Sequence, residues 1–239
     1  MENVVNIQNV DRSFGKKSVL KNISMSINKG EIFGILGPSG SGKTTLIKLI
    51  AGIDQSSKGD VTVFQQSMPN FTVLSKVGYM GQSDALYIDL SGYDNLAFFG
   101  ALYGLKGKNL KNRIKEVASI VGLDDALKKE VHQYSGGMKK RLSLAIAILH
   151  NPSLLILDEP TVGIDPVLRK QIWKQFTEMK EQGTTIIITT HIMEEAEKCE
   201  RIGLIREGEL IALDTIENLK AKTTSGKIEE LYFEKEVIV

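Results

Sequence analysis

Apolar residues follow two different spacings along the chain, and the first of them predicts β-strands. Ile23, Met25 and Ile27 alternate with polar residues, which predicts a half-buried strand. Continuous apolar runs predict strands that are buried on both faces, as in a parallel sheet, and they cover residues 31–36, 154–157 and 185–189. Two more strands and a hairpin are predicted at residues 59–64, 77–80 and 201–213.

The second spacing, with apolar residues three or four positions apart, predicts helices. One helix (residues 44–51) directly follows the first buried strand, and another (166–182) starts at Asp165-Pro166, a favourable N-terminal pair. Between them, helical segments are predicted at residues 96–103, 110–121 and 137–149. Because strands and helices otherwise alternate, we expect these three segments to form a helical lobe inserted into an α/β core.

The composition is that of an ordinary globular protein, and it limits the classes of partner. The 239 residues are 42% hydrophobic and 25% charged, which suits one large α/β domain or two small lobes. The 30 basic and 29 acidic residues nearly balance, so no nucleic-acid partner is expected. Cys199 is the single cysteine, which excludes an internal disulfide and fits a cytosolic setting. We recognise no signal peptide or membrane-spanning run, so work at a membrane would require a partner.

A glycine-rich sequence directly follows the first buried run: Gly37-Pro38-Ser39-Gly40-Ser41-Gly42-Lys43-Thr44. It matches the G-x-x-x-x-G-K-[ST] pattern of phosphate-binding loops, in which glycines let the backbone turn and aim N–H groups at phosphate oxygens. Lys43 would place an ammonium on the β and γ phosphates, and the Thr44 hydroxyl would bind Mg²⁺. The dipole of the following helix, which also carries Thr45 in its first turn, adds positive potential. The predicted ligand is therefore a nucleoside triphosphate with Mg²⁺.

Two carboxylates end the second buried run. Asp158 leaves the strand tip, where it could hold Mg²⁺ directly or through water. Glu159 could polarise or orient a water for in-line attack on the γ phosphate. Taken alone, the pair would more simply be a solvated turn after a strand. Together with the phosphate loop, we favour the catalytic interpretation.

A second glycine motif, Tyr134-Ser135-Gly136-Gly137-Met138, precedes Asp158. It is similar to the LSGGQ signature of ATP-binding cassette (ABC) transporters, and the chain resembles their nucleotide-binding subunits from about Val4 to Lys220. The resemblance implies an α/β fold: a P-loop NTPase (RecA-like) core with an antiparallel β subdomain and an inserted α-helical subdomain. One ABC ATPase domain is then expected at 1–220, with the core and β lobe at 1–82 and 151–220, the helical signature subdomain at 83–150, and a C-terminal appendage at 221–239.

The same resemblance implies further site residues. Phe14 falls where an aromatic ring stacks on adenine, with simple core packing as the alternative. Gln82 matches the glutamine that senses Mg²⁺ and the attacking water, and His191 matches the switch histidine that contacts the γ phosphate. Asp165 matches the aspartate of a loop that communicates across a dimer. ATP and Mg²⁺ are thus the implied ligands, and the implied catalytic residues are Lys43, Gln82, Glu159 and His191.

The resemblance also implies protein partners. Two subunits, either identical copies or related cassettes, would pack head to tail, with each ATP between Lys43 of one and Ser135-Gly136 of the other. The pair would drive a separate integral membrane permease from the cytoplasmic face of the cell membrane. We expect one or two aromatic residues of the helical lobe to line the permease groove and the others to fill the lobe's own core. These aromatic residues are Tyr87, Tyr93, Phe98, Phe99 and Tyr103.

Two departures from the commonest family pattern suggest a branch of the family. Met138 replaces the usual Gln, and Thr161-Val162-Gly163-Ile164-Asp165 replaces the frequent Ser-Ala-Leu-Asp. Both variants resemble the ABC-2 branch, which mainly exports drugs, lipids, polysaccharide precursors or ions. Because Glu159, His191 and Ser135 are intact, active hydrolysis is expected. The alternatives are a soluble ABC ATPase acting on ribosomes or DNA, and a regulatory ATP-binding module with little turnover.

Overall fold

In the computed structural model, which describes residues 2–82 and 85–232, the strands form two sheets. In chain order the strands are β1 (Asn3–Phe14), β2 (Lys17–Asn28), β3 (Ile32–Leu36), β4 (Lys58–Val63), β5 (Gln66–Ser67), β6 (Val77–Met80), β7 (Leu154–Asp158), β8 (Thr185–Thr190), β9 (Arg201–Arg206) and β10 (Glu209–Thr215). The smaller sheet is antiparallel, in the order β2-β1-β4-β5. The larger sheet has the order β10-β9-β3-β8-β7-β6, and only β10 runs against the others.

The helices cover the larger sheet and supply the inserted lobe. They are α1 (Lys43–Ile50), α2 (Phe71–Leu74), α3 (Gly92–Leu102), α4 (Gly107–Ile120), α5 (Gly136–Ile148), α6 (Pro166–Glu181), α7 (Met193–Ala196) and α8 (Ile216–Ala221). The insertion comprises α3, α4 and α5, which follow one another between β6 and β7. Ser91, Ser135 and Asp165 cap the starts of α3, α5 and α6 by accepting hydrogen bonds from backbone N–H groups, as short polar side chains commonly do. None of the helices in the described residues is long and apolar enough to span a bilayer.

The central parallel strands are apolar throughout because both of their faces are covered. All residues of β3, β7 and β8 are buried. Successive side chains point to opposite faces, so Leu155 and Leu157 join one buried cluster while Leu154 and Ile156 join the other. One cluster includes the inserted helices and α6, and the other includes α1 and the antiparallel sheet. The parallel strands are therefore held rigidly, with their carboxyl ends along one edge.

Helix α5 lies very close to β6, and a glycine makes this approach possible. A Cβ atom on Gly78 would lie 2.1 Å from the carbonyl oxygen of Ala147, a separation that a real side chain cannot adopt. The inserted lobe is thereby fixed against the edge of the larger sheet.

The predicted fold class is confirmed: a parallel α/β sheet carries an antiparallel subdomain and a helical insertion. The predicted boundary at residue 83 and the tail at 233–239 lie outside the described residues. Between them, Ile228 and Leu231 are buried in the same cluster as α6, so this part of the predicted appendage packs on the core.

Candidate functional site

The phosphate loop leaves the carboxyl end of β3 and enters α1 through Gly42. Gly42 has φ 109°, a left-handed conformation that an L side chain rarely adopts. A Cβ there would also lie 2.7 Å from Leu20 Cδ2, so the close contact with β2 requires a glycine as well. The turn places the N-terminus of α1 at the edge where β7 and β8 also end. The local sequence thus builds an anion-binding helix start at the favoured edge of a parallel sheet.

Lys43 is a buried cation that folds back over its own loop. Its Nζ donates hydrogen bonds to the carbonyl oxygens of Gly37 (2.7 Å) and Pro38 (3.0 Å). Burial lowers the pKa of Lys43, and the nearby negative charges of Glu159 and Asp158 partly counteract this effect. Among the described residues, its hydrogen-bond acceptors are these neutral carbonyl oxygens, and charged phosphate oxygens would be stronger partners.

Asp158, at the tip of β7, is completely buried and receives two hydroxyl hydrogen bonds. Thr44 Oγ1 donates to one carboxylate oxygen at 2.8 Å, and Thr189 Oγ1 donates to the other. Together with burial, the negative charge of Asp158 raises the pKa of Tyr79 to about 12. A hydroxyl beside a carboxylate is a set of hard oxygen donors, so Thr44 and Asp158 fit Mg²⁺.

Glu159 meets His191 next to this carboxylate. The distance between His191 Nδ1 and Glu159 Oε1 is 3.0 Å. The backbone of Glu159 has φ 51°, a conformation that costs a non-glycine residue about 1–3 kcal/mol. The Glu159 N–H donates to Thr189 (3.1 Å to its carbonyl oxygen), which helps hold this turn in place. The strained turn sends the carboxylate away from the strand and towards the histidine.

The phosphate loop, Thr44 and Glu159 border one cleft of about 460 Å³, and the buried Asp158 lies behind Thr44, to which it is hydrogen-bonded. Gln82 reaches the same cleft from the loop after β6. Two lining residues were missed by the sequence interpretation, Lys17 and Val19, because they lie on β2 and no motif marks them. The Ser41 hydroxyl is buried and, within the described residues, has no hydrogen-bond partner. An additional acceptor, such as a phosphate oxygen, would satisfy it.

Several other predicted site residues are not among the described residues that line this cleft. Ser135 and Gly136 are exposed at the start of α5, where the Ser135 hydroxyl accepts from Met138 N at 3.2 Å. Asp165 is exposed at the start of α6 and accepts from Leu168 N. Phe14 is 51% exposed beneath the guanidinium of Arg12, which argues against core packing. Within one copy, then, the signature and aspartate-loop residues are surface features.

A strand, a glycine-rich loop and a helix start in this arrangement define the phosphate-loop class of nucleotide-hydrolysing proteins. The sequence profile of the family described as "ABC transporter" matches residues 20–162. The chain belongs to the ABC transporter family, as one of its ATP-binding subunits, and it is an ATPase.

Relatives and solved structures agree with this membership. The chain is 42% identical over 227 residues to the linearmycin resistance ATP-binding protein LnrL of Bacillus subtilis, covering 94% of this chain and 73% of LnrL. It is 36% identical to the probable multidrug ABC transporter ATP-binding protein YbhF of Escherichia coli, covering 95% of this chain but only 39% of YbhF. It is also similar to a dimeric, post-hydrolysis structure of the ATP-binding cassette MJ0796 bound to ADP and Pi. That similarity has a TM-score of 0.81 at 26% identity and covers 88% of this chain and 98% of the other.

Proposed function

We propose that this chain hydrolyses ATP in a head-to-tail pair of cassettes and thereby drives a separate membrane permease, in the direction of export. The proposal rests on the separation of the predicted site residues into two places on one copy of the chain. Phosphate-binding, metal-type and hydrolytic groups meet at one cleft, whereas Ser135 and Gly136 are exposed outside it. A second subunit would bring such a signature to the open side of the cleft.

ATP would enter with its phosphates on the Gly37–Thr44 loop. Lys43 would exchange its two carbonyl partners for β and γ phosphate oxygens, and Thr44 and Asp158 would hold Mg²⁺. When bound, Mg²⁺ would neutralise charge that develops on the phosphates. Phe14, half exposed at the end of β1, would offer its ring to adenine.

Glu159 is the residue we assign to the attacking water. Its carboxylate lies at the cleft and faces His191, so it could orient a water or accept its proton. His191 would contact the γ phosphate. Gln82, in the loop after β6, would contact the metal ion and the attacking water. Loss of the γ phosphate would then weaken the contact between the two copies.

A cluster of aromatic rings on the helical insertion is the surface that we propose for the permease. Tyr87 and Phe98 lie 4.9 Å apart, Phe98 and Phe99 lie 5.3 Å apart, and Tyr87 and Phe98 are exposed. Beside them, Phe99 and Tyr103 border a small cavity of about 220 Å³. An exposed apolar surface of this kind is typical of protein contacts, and it would keep the chain at the cytoplasmic face of the membrane.

The direction of transport is inferred from relatives. LnrL is named for linearmycin resistance and YbhF as a probable multidrug transporter protein. Removal of a toxic compound from the cell would account for both names, and the Met138 and Thr161–Asp165 variants point the same way.

Copurification from native membranes tests the proposal. We would tag Glu159→Gln, which should bind ATP without hydrolysing it, and identify what accompanies it after gentle solubilisation. We expect a polytopic membrane protein in stoichiometric amount with the tagged chain. Tyr87→Ala and Phe98→Ala should weaken that association, whereas Phe71→Ala, an exposed ring outside the cluster, should not. Copurified ribosomes or DNA factors without a membrane protein would contradict the proposal and favour a soluble ABC ATPase.

A further inference from the structure

A buried carboxylate that no motif marks lies behind the hydrolytic pair. Glu195, in the short helix α7, is 1% exposed. One of its oxygens accepts a hydrogen bond from Thr161 Oγ1, and the other accepts from Thr190 Oγ1 at 2.7 Å. A buried carboxylate is costly unless donors satisfy it, and two buried threonine hydroxyls satisfy this one. The hydrogen bonds therefore tie three buried polar side chains to one another.

The two threonines belong to the two segments that carry the hydrolytic residues. Thr161 follows Glu159 by two positions, and Thr190 directly precedes His191. The Thr190 hydroxyl is fixed further, because it accepts a hydrogen bond from the backbone N–H of Ile192 at 3.0 Å. Through these two threonine side chains, Glu195 links the segment that carries Glu159 to the segment that carries His191.

Thr161 also begins the loop that leads to Asp165. The carbonyl oxygen of Thr161 accepts from Ile164 N at 3.2 Å, which shapes this loop. The next residue, Val162, accepts from Lys140 Nζ on the signature helix α5 at 3.1 Å. The hydrogen bond between Glu195 and Thr161 therefore holds the start of the loop that leads to Asp165. The same loop contacts the signature helix α5 through Val162 and Lys140.

We propose that Glu195 is a positioning residue for ATP hydrolysis. It holds the Glu159 and Thr190–His191 segments at the separation that lets Glu159 and His191 meet, and it does so without touching the nucleotide. This inference rests on the proposed roles of Glu159 and His191. Geometry at the reacting centre matters steeply, since a displacement of about 1 Å can reduce a rate roughly a hundredfold.

Steady-state ATPase assays of the purified full chain with ATP and Mg²⁺ test the proposal. Glu195→Ala should lower kcat by roughly tenfold to a hundredfold while KM for ATP stays within about threefold, because the binding loop is untouched. Glu195→Gln should restore most of the rate, since its amide oxygen can accept from one threonine and its NH₂ can donate to the other. This rescue by a residue of the same shape separates positioning from the negative charge itself.

If Glu195→Ala does not fold, Thr161→Val can be assayed instead. This substitution removes the hydrogen bond from Thr161 to Glu195 and nearly preserves the shape of the side chain. It should lower kcat with little change in KM. The matched control is Thr185→Val. Thr185 starts β8, at the end of the strand away from Thr190, and its buried hydroxyl accepts a hydrogen bond from Gly30 N at 2.9 Å. Thr185→Val should leave kcat unchanged even where it lowers the melting temperature by a similar amount.

Glu159→Gln, assayed in parallel, distinguishes a failure of the positioning role of Glu195 from a failure of the proposed hydrolytic site. If Glu159→Gln is inactive and Glu195→Ala and Thr161→Val turn over at the wild-type kcat, the positioning role alone is wrong. A kcat loss in Thr185→Val equal to that in Thr161→Val would also overturn it, because the effect would then be general destabilisation. If Glu159→Gln hydrolyses ATP like the wild type, the proposed hydrolytic site fails, and the inference fails with it.

Discussion

Asp158 is the buried carboxylate that we propose as a ligand of Mg²⁺. Within the described residues, the hydroxyls of Thr44 and Thr189 donate hydrogen bonds to it, which satisfies the oxygens without cancelling the charge. The charge still acts on its surroundings. Burial lowers the pKa of Lys43 and the charge of Asp158 partly opposes this effect, whereas burial and the charge together raise the pKa of Tyr79. Negative potential therefore persists next to a hydroxyl oxygen, as a Mg²⁺ site requires.

Removing the Thr44 hydroxyl tests this assignment. Thr44→Val should raise the Mg²⁺ concentration for half-maximal hydrolysis by about tenfold or more, because one oxygen ligand and the orientation of Asp158 are lost. Thr44→Ser keeps the hydroxyl and should behave like the wild type. Titrating Mg²⁺ at fixed ATP measures the effect, and equal Mg²⁺ curves for Thr44→Val and Thr44→Ser would contradict the proposed metal role.

Sequence could predict the site residues that lie inside motifs and little of what surrounds them. Lys43, Thr44, Asp158 and Glu159 stand in contiguous patterns, and the structure brings all four together. Thr189 was not predicted, because its contact with Asp158 depends on the register of β7 and β8, which pairs these two residues across strands far apart in sequence. A run of apolar residues carries no information about that register. Glu195 was missed because its partners, Thr161 and Thr190, lie in separate segments and no motif marks their contact.

At the scale of elements, α5 joins two surfaces with different tasks. Its first turn presents Ser135 and Gly136, and at its other end His150 stacks on Tyr103, which follows α3. The two rings are parallel with centroids 3.6 Å apart. Burial lowers the pKa of His150 to about 4, so the ring is neutral in the folded protein at ordinary pH. The contact between α3 and α5 depends on that neutrality.

Stability should therefore depend on pH through this contact. The folded-state pKa of His150 lies below its unfolded value of 6.5, so the stabilisation is fully present above pH 6.5 and is lost as pH falls towards 4. His150→Phe keeps an aromatic ring on Tyr103 but cannot take up a proton. Relative to this variant, the wild type should lose about 1–2 kcal/mol of unfolding free energy between pH 7 and pH 4.5, allowing for partial solvent contact of the ring. Urea unfolding at several pH values measures the difference, and parallel pH profiles for the two proteins would rule the effect out.

The pattern of apolar residues predicted the long, regular elements better than the irregular ones. The continuous runs became β3, β7 and β8, and the helical spacing gave α1, α5 and α6 within about one residue of their observed ends. Strand β1 was not predicted, although it pairs with both β2 and β4. The pairing of β1 with β2 is interrupted by register shifts, and at each shift the regular alternation of polar and apolar residues is lost. The sequence therefore lacks the period-two pattern that predicts a strand. Helix α4 begins at Gly107, three residues before the predicted start at residue 110, because glycine has a low helix propensity and gave no sign of a helix start.

At the scale of the whole molecule, we propose that one copy of the chain holds only part of the ATP site. The cleft supplies Lys43, Thr44 and Glu159, whereas Ser135 and Gly136 form an exposed helix start elsewhere on the surface. Exposed N–H groups at a helix start favour anions, so the γ phosphate could join the two surfaces. The presence of the γ phosphate on the bound nucleotide would then control whether two copies of the chain form a dimer.

Sedimentation of Glu159→Gln with and without nucleotide tests whether two copies share the ATP site. With ATP and Mg²⁺ we expect a dimer, and with ADP or no nucleotide a monomer. Adding Ser135→Arg to the same chain should abolish the dimer, because a bulky side chain would block the proposed contact, while Ser135→Ala should weaken it only modestly. A dimer that forms equally well without ATP, or that persists in the Ser135→Arg variant, would contradict the shared site.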